Sequence, residues 1–231
     1  MKVVRKYLFL IGMLFCTGLL ALGWTADASK PSIGERFGTF ESEKKVSRAE
    51  QTGVYDLDKA HSSIGFRIRH MGLVDVPGYF RSFEGAVDFD PSAIKNSSVE
   101  FKAEVKSIDT GVNARDNHLR SKDFFEVMTY PEMSFKSTRI RKKGKRYMVK
   151  GDLTIKDVTK EIEFPVRIYG PIKDDRGTIR MGVVGSTAIN RRAFNVNYGG
   201  NLPGGTAVLS DSVVVDLQIE SVKKKEKKED Q

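Results

Sequence analysis

Cysteine is almost absent from this chain of 231 residues, and its one cysteine, Cys16, lies in an apolar run near the N-terminus. Residues 17–231 therefore contain no disulfide, thiolate metal site or redox pair. Histidine is also scarce, because there are three and no two of them form an H-x-x-x-H pair of the kind that binds zinc. The G-x-S-x-G nucleophile elbow is missing as well. These absences weigh against redox, zinc-dependent and serine-hydrolase enzymes.

Long stretches in which apolar residues recur with the period of an α-helix are missing too. Without such helices, the crossovers of a parallel βαβ sheet cannot form. Short stretches instead alternate apolar and polar residues, as in residues 99–106, where every second side chain is apolar and the others are charged. Eight or nine such strands with hairpin-scale connections predict an all-β fold, an antiparallel eight-stranded barrel. The interior of such a barrel is either filled by side chains or holds one small ligand. The alternation does not choose between them.

A short polar segment interrupts the alternation after the strand at residues 99–108. Asn113 is expected to cap a short helix there, and Asp116 to meet the free N–H groups of its first turn. A second turn then delivers two large apolar side chains, Phe124 and Phe125, beside a basic run. A break in a barrel wall is where the headgroup of a ligand would lie.

Two sets of residues are candidates for a ligand site. The apolar set is predicted to line the interior and consists of Phe66, Phe89, Phe101, Phe124, Phe125, Met133, Phe135, Ile155 and Phe164. The polar set is predicted at the rim and consists of Arg115, Asp116, His118, Asn190 and Arg191. Four glycines either leave room for a ligand or mark bends in the strands, and both interpretations stay open: Gly85, Gly151, Gly182 and Gly185.

The polar candidates also have structural explanations. Asp116 and His118 are two apart on a helix, so they do not share a face. Arg191 can stack on a quinone-like ring or fork onto a phosphate, but it can equally belong to a solvated turn. His61 and Ser62 are neighbours at a strand corner, where adjacent side chains point to different faces. We therefore predict no catalytic residue, no metal site and no cofactor other than a bound lipid or quinone.

The N-terminus has the pattern of a secretory signal. Three basic residues precede an apolar run over residues 7–23, and Ala26-Asp27-Ala28 is a small-x-small cleavage pattern. We expect residues 1–28 to be removed, so that Ser29 begins a periplasmic or secreted protein. Residues 29–53 then form a polar linker before a barrel domain at 54–222. An uncleaved membrane anchor is the alternative, since the apolar run approaches bilayer length.

Net charge is less informative than it first looks. The chain carries +9, of which residues 1–28 contribute +2 and the tail at residues 223–231 another +2, leaving +5 for the rest. Within the domain the charges alternate with apolar residues, which is typical of a solvated outer face, and no basic stripe has interleaved aromatics. We therefore predict that nucleic acid is not a partner. The charged tail is expected to be disordered.

Six blocks of sequence carry a family resemblance: DLDKAHSSIGFRIRH, VPGYFRSFEG, SIDTGVNARDNHLRSKDFFEVMTYPEMSFKS, GDLTIKDVTKEIEFPV, GSTAINRRAF and SDSVVVDLQI. In this order they span about three quarters of the chain, from residue 56 to residue 219. They closely resemble the YceI-like family of bacterial lipid-binding proteins. The resemblance implies a lipocalin-like barrel that binds a polyisoprenoid or an isoprenoid quinone.

The resulting hypothesis is an exported barrel that holds a long amphipathic lipid, as a carrier or sequestering protein. Two alternatives stay open, an enzyme acting on such lipids and a stress-related interaction module with an incidental cavity. A buried histidine or carboxylate at the cavity floor would favour the enzyme. Transient membrane contact and a homodimer are further open expectations.

Overall fold

The computed structural model describes residues 46–225. The predicted signal peptide, most of the linker and residues 226–231 of the tail lie outside these described residues. Within them, no helix is both long enough and apolar enough to cross a membrane. The described end of the linker forms a short helix, α1, at Arg48–Gln51, where the side chains of Ser47 and Glu50 cap each other's backbone N–H groups.

The remaining elements are mostly strands. The strands are β1 Gly53–Leu57, β2 Ser63–His70, β3 Val74–Phe80, β4 Phe83–Phe89, β5 Ser98–Glu104, β6 Ile108–Asp109, β7 Glu132–Lys143, β8 Arg146–Ile155, β9 Val158–Lys173, β10 Ile179–Asn190 and β11 Leu209–Lys223. A second α-helix, α2, spans Asn113–Arg120, and three 3-10 turns lie at Ile94–Asn96, Val105–Ser107 and Arg191–Phe194.

The eleven strands form a closed antiparallel barrel with eight strand positions around the ring. Three of these positions are each occupied by two strands that lie end to end, β1 with β2, β3 with β4 and β5 with β6. The ring closes because β11 pairs with β10 along one edge and with β1 and β2 along the other. The predicted fold class is confirmed. The alternation on β5 is clear, since Ala103 is buried while Glu100 and Lys102 are exposed.

One strand position of the barrel is interrupted between β3 and β4, where the spacing of Phe80 and Phe83 predicts an irregularity. The ladder stops at Phe80 and resumes at Phe83, so both side chains are buried in the same apolar cluster. Phe80 and Phe83 can therefore share one face although they are three positions apart, which an uninterrupted strand would not allow.

The two ends of the barrel differ. At one end, which we call the closed end, Tyr55, Val87, Phe89 and Met181 form a buried cluster. The Tyr55 hydroxyl donates to the carbonyl of Gln51 at 2.6 Å, which holds α1 against this end. At the other, open end lie the β2–β3 and β8–β9 hairpin turns and two longer segments, at residues 110–131 and 191–208.

Segment 110–131 interrupts the wall, because β6 pairs with β3 and β7 pairs with β5 and β8, but β6 and β7 do not pair within the described sheet. The expected cap of α2 is wrong by one residue: Val112 precedes the helix, and Asn113 is its first residue. Asp116 does accept a backbone N–H, but it is that of Thr110, upstream of the helix, at 2.9 Å.

Two of the four glycines are explained by the closeness of neighbouring strands. A Cβ on Gly85 would lie 2.5 Å from the carbonyl oxygen of Glu100, and one on Gly151 would lie 2.7 Å from the Cα of Ser137. Both positions therefore require glycine for backbone contact between tightly coiled strands. They do not hold space open for a ligand.

The buried wall predicts a sharp contrast between adjacent residues on β7. Phe135 is 7% exposed and packs on Phe164, whereas the side chain of Lys136 is 75% exposed. Phe135→Ala should lower the free energy of unfolding by about 3 kcal/mol, because it removes a buried aromatic ring. Lys136→Ala should change it little. Urea unfolding measures both, and equal losses would show that the inside and outside of this strand are misassigned.

Candidate functional site

The barrel encloses a cavity of about 550 Å³ that extends to the open end. This volume is typical of small-molecule sites, which are concave and mostly apolar. The side chains that face the deeper part of the cavity are apolar and include Val87, Val99, Val149, Val166 and Val183. Nearly every other lining residue is aliphatic or aromatic, and the polar ones come mainly from the open end.

Eight of the nine predicted apolar residues line this cavity: Phe66, Phe101, Phe124, Phe125, Met133, Phe135, Ile155 and Phe164. The ninth, Phe89, does not, and this corrects the prediction that it faces the ligand site. Phe89 ends β4 at the closed end, where it packs edge-on against Tyr55 with ring centroids 6.5 Å apart. Its side chain points inward, but it lies beyond the floor of the cavity.

Arg115 reaches the cavity from α2 and is oriented by Thr110, which also lines it. The Nε of Arg115 donates to the Thr110 hydroxyl at 2.7 Å, and its Nη2 donates to the Thr110 carbonyl at 2.8 Å. The same hydroxyl donates to the carboxylate of Asp116 at 2.5 Å. Asp116 is buried, does not line the cavity and serves as the acceptor that orders this turn.

His118 joins α2 to the segment at residues 191–208. Its Nε2 lies 2.9 Å from an oxygen of Asp123, and its ring packs edge-on against Phe124 at 5.1 Å and Tyr198 at 4.7 Å. Phe124 and Tyr198 also contact each other, with centroids 4.7 Å apart. All three rings line the open end of the cavity, so they form an aromatic rim across two segments distant in sequence.

Arg191 is buried, with its side chain 5% exposed, although it too borders the cavity. Its N–H groups donate to four backbone carbonyls: Val196 at 2.7 Å, Tyr198 at 2.7 Å, Ser210 at 2.9 Å and Leu209 at 3.4 Å. Burial lowers the pKa of this guanidinium from its usual value. The side chain thus organises the segment that carries Tyr198, and the solvated-turn interpretation is wrong for this residue.

Asn190 does not line the cavity. It is exposed, and its side chain accepts the backbone N–H of Arg192 at 2.9 Å, which caps the 3-10 turn that follows β10. Of the five predicted rim residues, the structure therefore brings Arg115, His118 and Arg191 to the cavity and leaves Asp116 and Asn190 outside it.

Two residues at the open end were missed by the sequence reasoning. His70 ends β2 and lines the cavity, and Tyr198 contributes to the aromatic rim. His70 continues the apolar alternation of Ile64, Phe66 and Ile68, so its parity indicated an inward side chain. Tyr198 immediately precedes a pair of glycines, and an aromatic residue at the base of a glycine-rich loop was the available signal.

Asp58, His61 and Ser62 do not form a catalytic triad. The Nδ1 of His61 lies 3.0 Å from Asp58, but the Ser62 hydroxyl donates to the carbonyl of Glu220 at 3.1 Å. The hydrogen bond with Asp58 raises the pKa of His61 and lowers that of the carboxyl. Arg180 donates to Asp58 and Glu220, which gives both carboxylates a counter-charge. None of these residues lines the cavity.

Taken together, a closed eight-stranded barrel, an apolar cavity and a polar open end define a lipocalin-like barrel. Residues 55–221 match the YceI-like domain, and the chain belongs to the YceI-like family. A UPF0312 protein of Vibrio cholerae is 34% identical over 172 residues, covering 74% of this chain and 87% of that protein. A UPF0312 protein of Vibrio parahaemolyticus is 36% identical with the same coverage.

Solved structures show the same architecture. BcnA of Burkholderia cenocepacia has a TM-score of 0.63 and 27% identity, covering 71% of this chain and 98% of its own. The YCEI protein of Campylobacter jejuni has a TM-score of 0.59 and 30% identity, covering 73% and 97%. A polyisoprenoid binding domain from Saccharophagus degradans has a TM-score of 0.57 and covers 74% and 98%; at 16% identity it shows the shared fold alone.

The bonding of Arg191 predicts a local stability effect. Arg191→Met keeps much of the side-chain volume but leaves buried carbonyls without donors, so unfolding should become easier by about 2–4 kcal/mol. Amide exchange should also accelerate in residues 196–210, measured by mass spectrometry. Arg167→Met, which changes an exposed arginine on β9, is the matched control and should do neither. Unchanged exchange in Arg191→Met would contradict the organising role.

Proposed function

We propose that this protein is an exported lipid-binding protein, a carrier or sequestering protein that holds the tail of a long amphipathic lipid inside the barrel. The observation that carries the proposal is the apolar cavity of about 550 Å³, which extends to one end of the barrel. Burial of apolar surface stabilises a complex by about 25 cal/mol for each Å², so each 100 Å² of tail supplies about 2.5 kcal/mol. A long tail therefore provides most of the affinity.

The headgroup would lie at the open end, where polar groups meet the apolar wall. Arg115 and the hydroxyl of Tyr198 offer hydrogen-bond donors there, and the described lining contributes no carboxylate side chain at that end. This arrangement suits an acceptor, such as a carbonyl or phosphate oxygen. The aromatic rim of His118, Phe124 and Tyr198 also allows a planar headgroup to stack.

Membership of the YceI-like family points to a polyisoprenoid or an isoprenoid quinone as the ligand. The branched aliphatic lining fits such a tail, because methyl branches and β-branched side chains pack closely together. The headgroup donors described above suit both kinds of molecule.

A carrier is favoured over an enzyme acting on the same lipid. His70 and His118 border the open end, whereas the deeper wall has no titratable side chain among the residues described. Glu100 borders the cavity, but its side chain is exposed and pairs with Lys136 at 2.6 Å. Acid–base catalysis needs a titratable group within hydrogen-bond reach of the reacting atoms, and an apolar tail site does not provide one.

Filling the cavity should expel the lipid. Thr187 lines the cavity, whereas its neighbour Ala188 is exposed on the outer face. Thr187→Trp should sharply reduce the lipid-to-protein ratio in organic extracts, and native mass spectrometry should show the unliganded mass. Ala188→Trp should retain the lipid. A second pair, Val215→Trp inside and Val214→Trp outside, repeats the test on β11 if the first pair folds poorly.

His61→Ala and His118→Ala are the controls for the enzyme alternative. Both should keep a lipid of unchanged mass, because a neutral hydrogen bond contributes only about 0.5–1.5 kcal/mol and the tail contributes more. Retained lipid in both folded filling variants would contradict a tail site in the cavity. A lipid whose structure changes only when a histidine is removed would favour the enzyme.

Export gives a separate prediction. Cleavage after Ala28 leaves Ser29 as the first residue of the mature protein. Intact-mass or N-terminal analysis of protein from the cell envelope should find this terminus. An intact N-terminus in purified membranes would instead establish the anchor.

A further inference from the structure

The most exposed large apolar side chains of the described residues lie at the open end. Met128 is 94% exposed, Leu73 is 74% exposed and Val74 is 60% exposed. Val112 and Tyr198, at 47% and 43%, come from the same end. Exposed apolar groups that cluster in this way usually mark a surface that contacts another phase or molecule.

These side chains surround the opening of the cavity. Leu73 lies at the tip of the β2–β3 hairpin, which is tied to the segment at 191–208 by the N–H of Met71 donating to the carbonyl of Val208 at 2.9 Å. Met128 lies in a turn shortly after Phe124 and Phe125, both of which line the cavity. Val112 immediately precedes α2. Each exposed group is thus a few residues from one that borders the opening.

Apolar groups away from the open end are placed differently. Tyr169 and Ile172 are 55% and 52% exposed, but they lie within β9 and not on a projecting turn. Tyr79, on the side of the barrel, is covered by the guanidinium of Arg81 at 4.5 Å. The projecting turns of the open end are therefore the part of the surface best shaped to enter an apolar phase.

The charges around the opening are largely neutralised by one another. Lys156 pairs with Glu126, Arg69 with Asp75 and Arg192 with Asp211. Such a rim has little net attraction for a polyanion. Its contact with a membrane would depend on apolar insertion, which salt does not screen, and not on an attraction to anionic lipid.

We infer that the open end docks onto a phospholipid bilayer, with Leu73, Val74 and Met128 inserted among the lipid headgroups. The cavity opening then faces the membrane, so an apolar tail can pass between bilayer and barrel without crossing water. A bilayer is favoured over a protein partner because the apolar groups lie on separate projecting turns around an opening. This inference rests on the proposed function, since it assumes that the cavity takes up lipid.

The test is cosedimentation of the purified protein with vesicles of phosphatidylethanolamine and phosphatidylglycerol. The rim variant, Leu73→Ser with Met128→Ser, should bind at least about tenfold more weakly, because each loses the transfer of a large apolar side chain. The control, Tyr169→Ser with Ile172→Ser, removes two exposed apolar side chains from β9 and should bind like the parent. All variants share the same N-terminus, so that segment contributes equally to the vesicle binding of each variant.

Several outcomes distinguish docking from lipid binding. Apolar docking would be overturned if the rim variant and the parent bound vesicles equally, or if raised sodium chloride released the parent from the vesicles. Either result would do so even if the protein contains lipid. Rim-dependent binding by a protein whose extracts contain no lipid would support docking while the proposed function fails. If both hold, the rim variant should keep its bound lipid and release it to vesicles more slowly than the control. Thermal unfolding should be unchanged in both variants, since the replaced side chains are exposed.

Discussion

Closure of the sheet along β11 is the interaction on which the rest of the structure depends. This strand pairs with β10 over eleven residues on one side and with β1 and β2 on the other. Its inward side chains, among them Val213, Val215 and Leu217, form one wall of the cavity. Closure therefore satisfies the backbone hydrogen bonds of two potential edges and encloses the apolar space at the same time.

The open end depends on a different interaction, the use of buried charge to order irregular backbone. Asp116 accepts from the backbone and hydroxyl of Thr110, and Arg191 donates to four carbonyls. Asp116 is committed to the turn before α2, and Arg191 to the segment at residues 191–208 and the start of β11. Neither side chain is therefore free to bind the headgroup of a ligand. Arg115, His118 and Tyr198 are then held at the opening by segments that are already ordered. The polar rim and the apolar cavity thus have separate structural supports.

Much of this arrangement could be predicted because strand alternation fixes which side of the wall a residue faces. The inward direction of Phe101 and of Phe135 follows from this alternation alone. The alternation does not fix the height of a residue along the barrel axis, which explains why Phe89 faces inward yet lies below the cavity floor. Nor does sequence reveal whether a polar side chain meets solvent or backbone, so Arg191 and Asn190 looked equivalent. The role of Gly151 depends on the closeness of β7, which a single strand's sequence does not contain.

The seam of the barrel joins opposite ends of the chain. Tyr55 on β1 lies opposite Lys223 on β11, so the contact that completes the ring spans 168 positions of sequence. Contacts of such long range form late and slow folding. During synthesis, the ring cannot close until the final strand has left the ribosome, and until then β1 and β10 each have an edge without its partner. The newly made chain consequently remains an open sheet until its last strand is available, and the unpaired edges and apolar surface of that sheet are features that chaperones recognise.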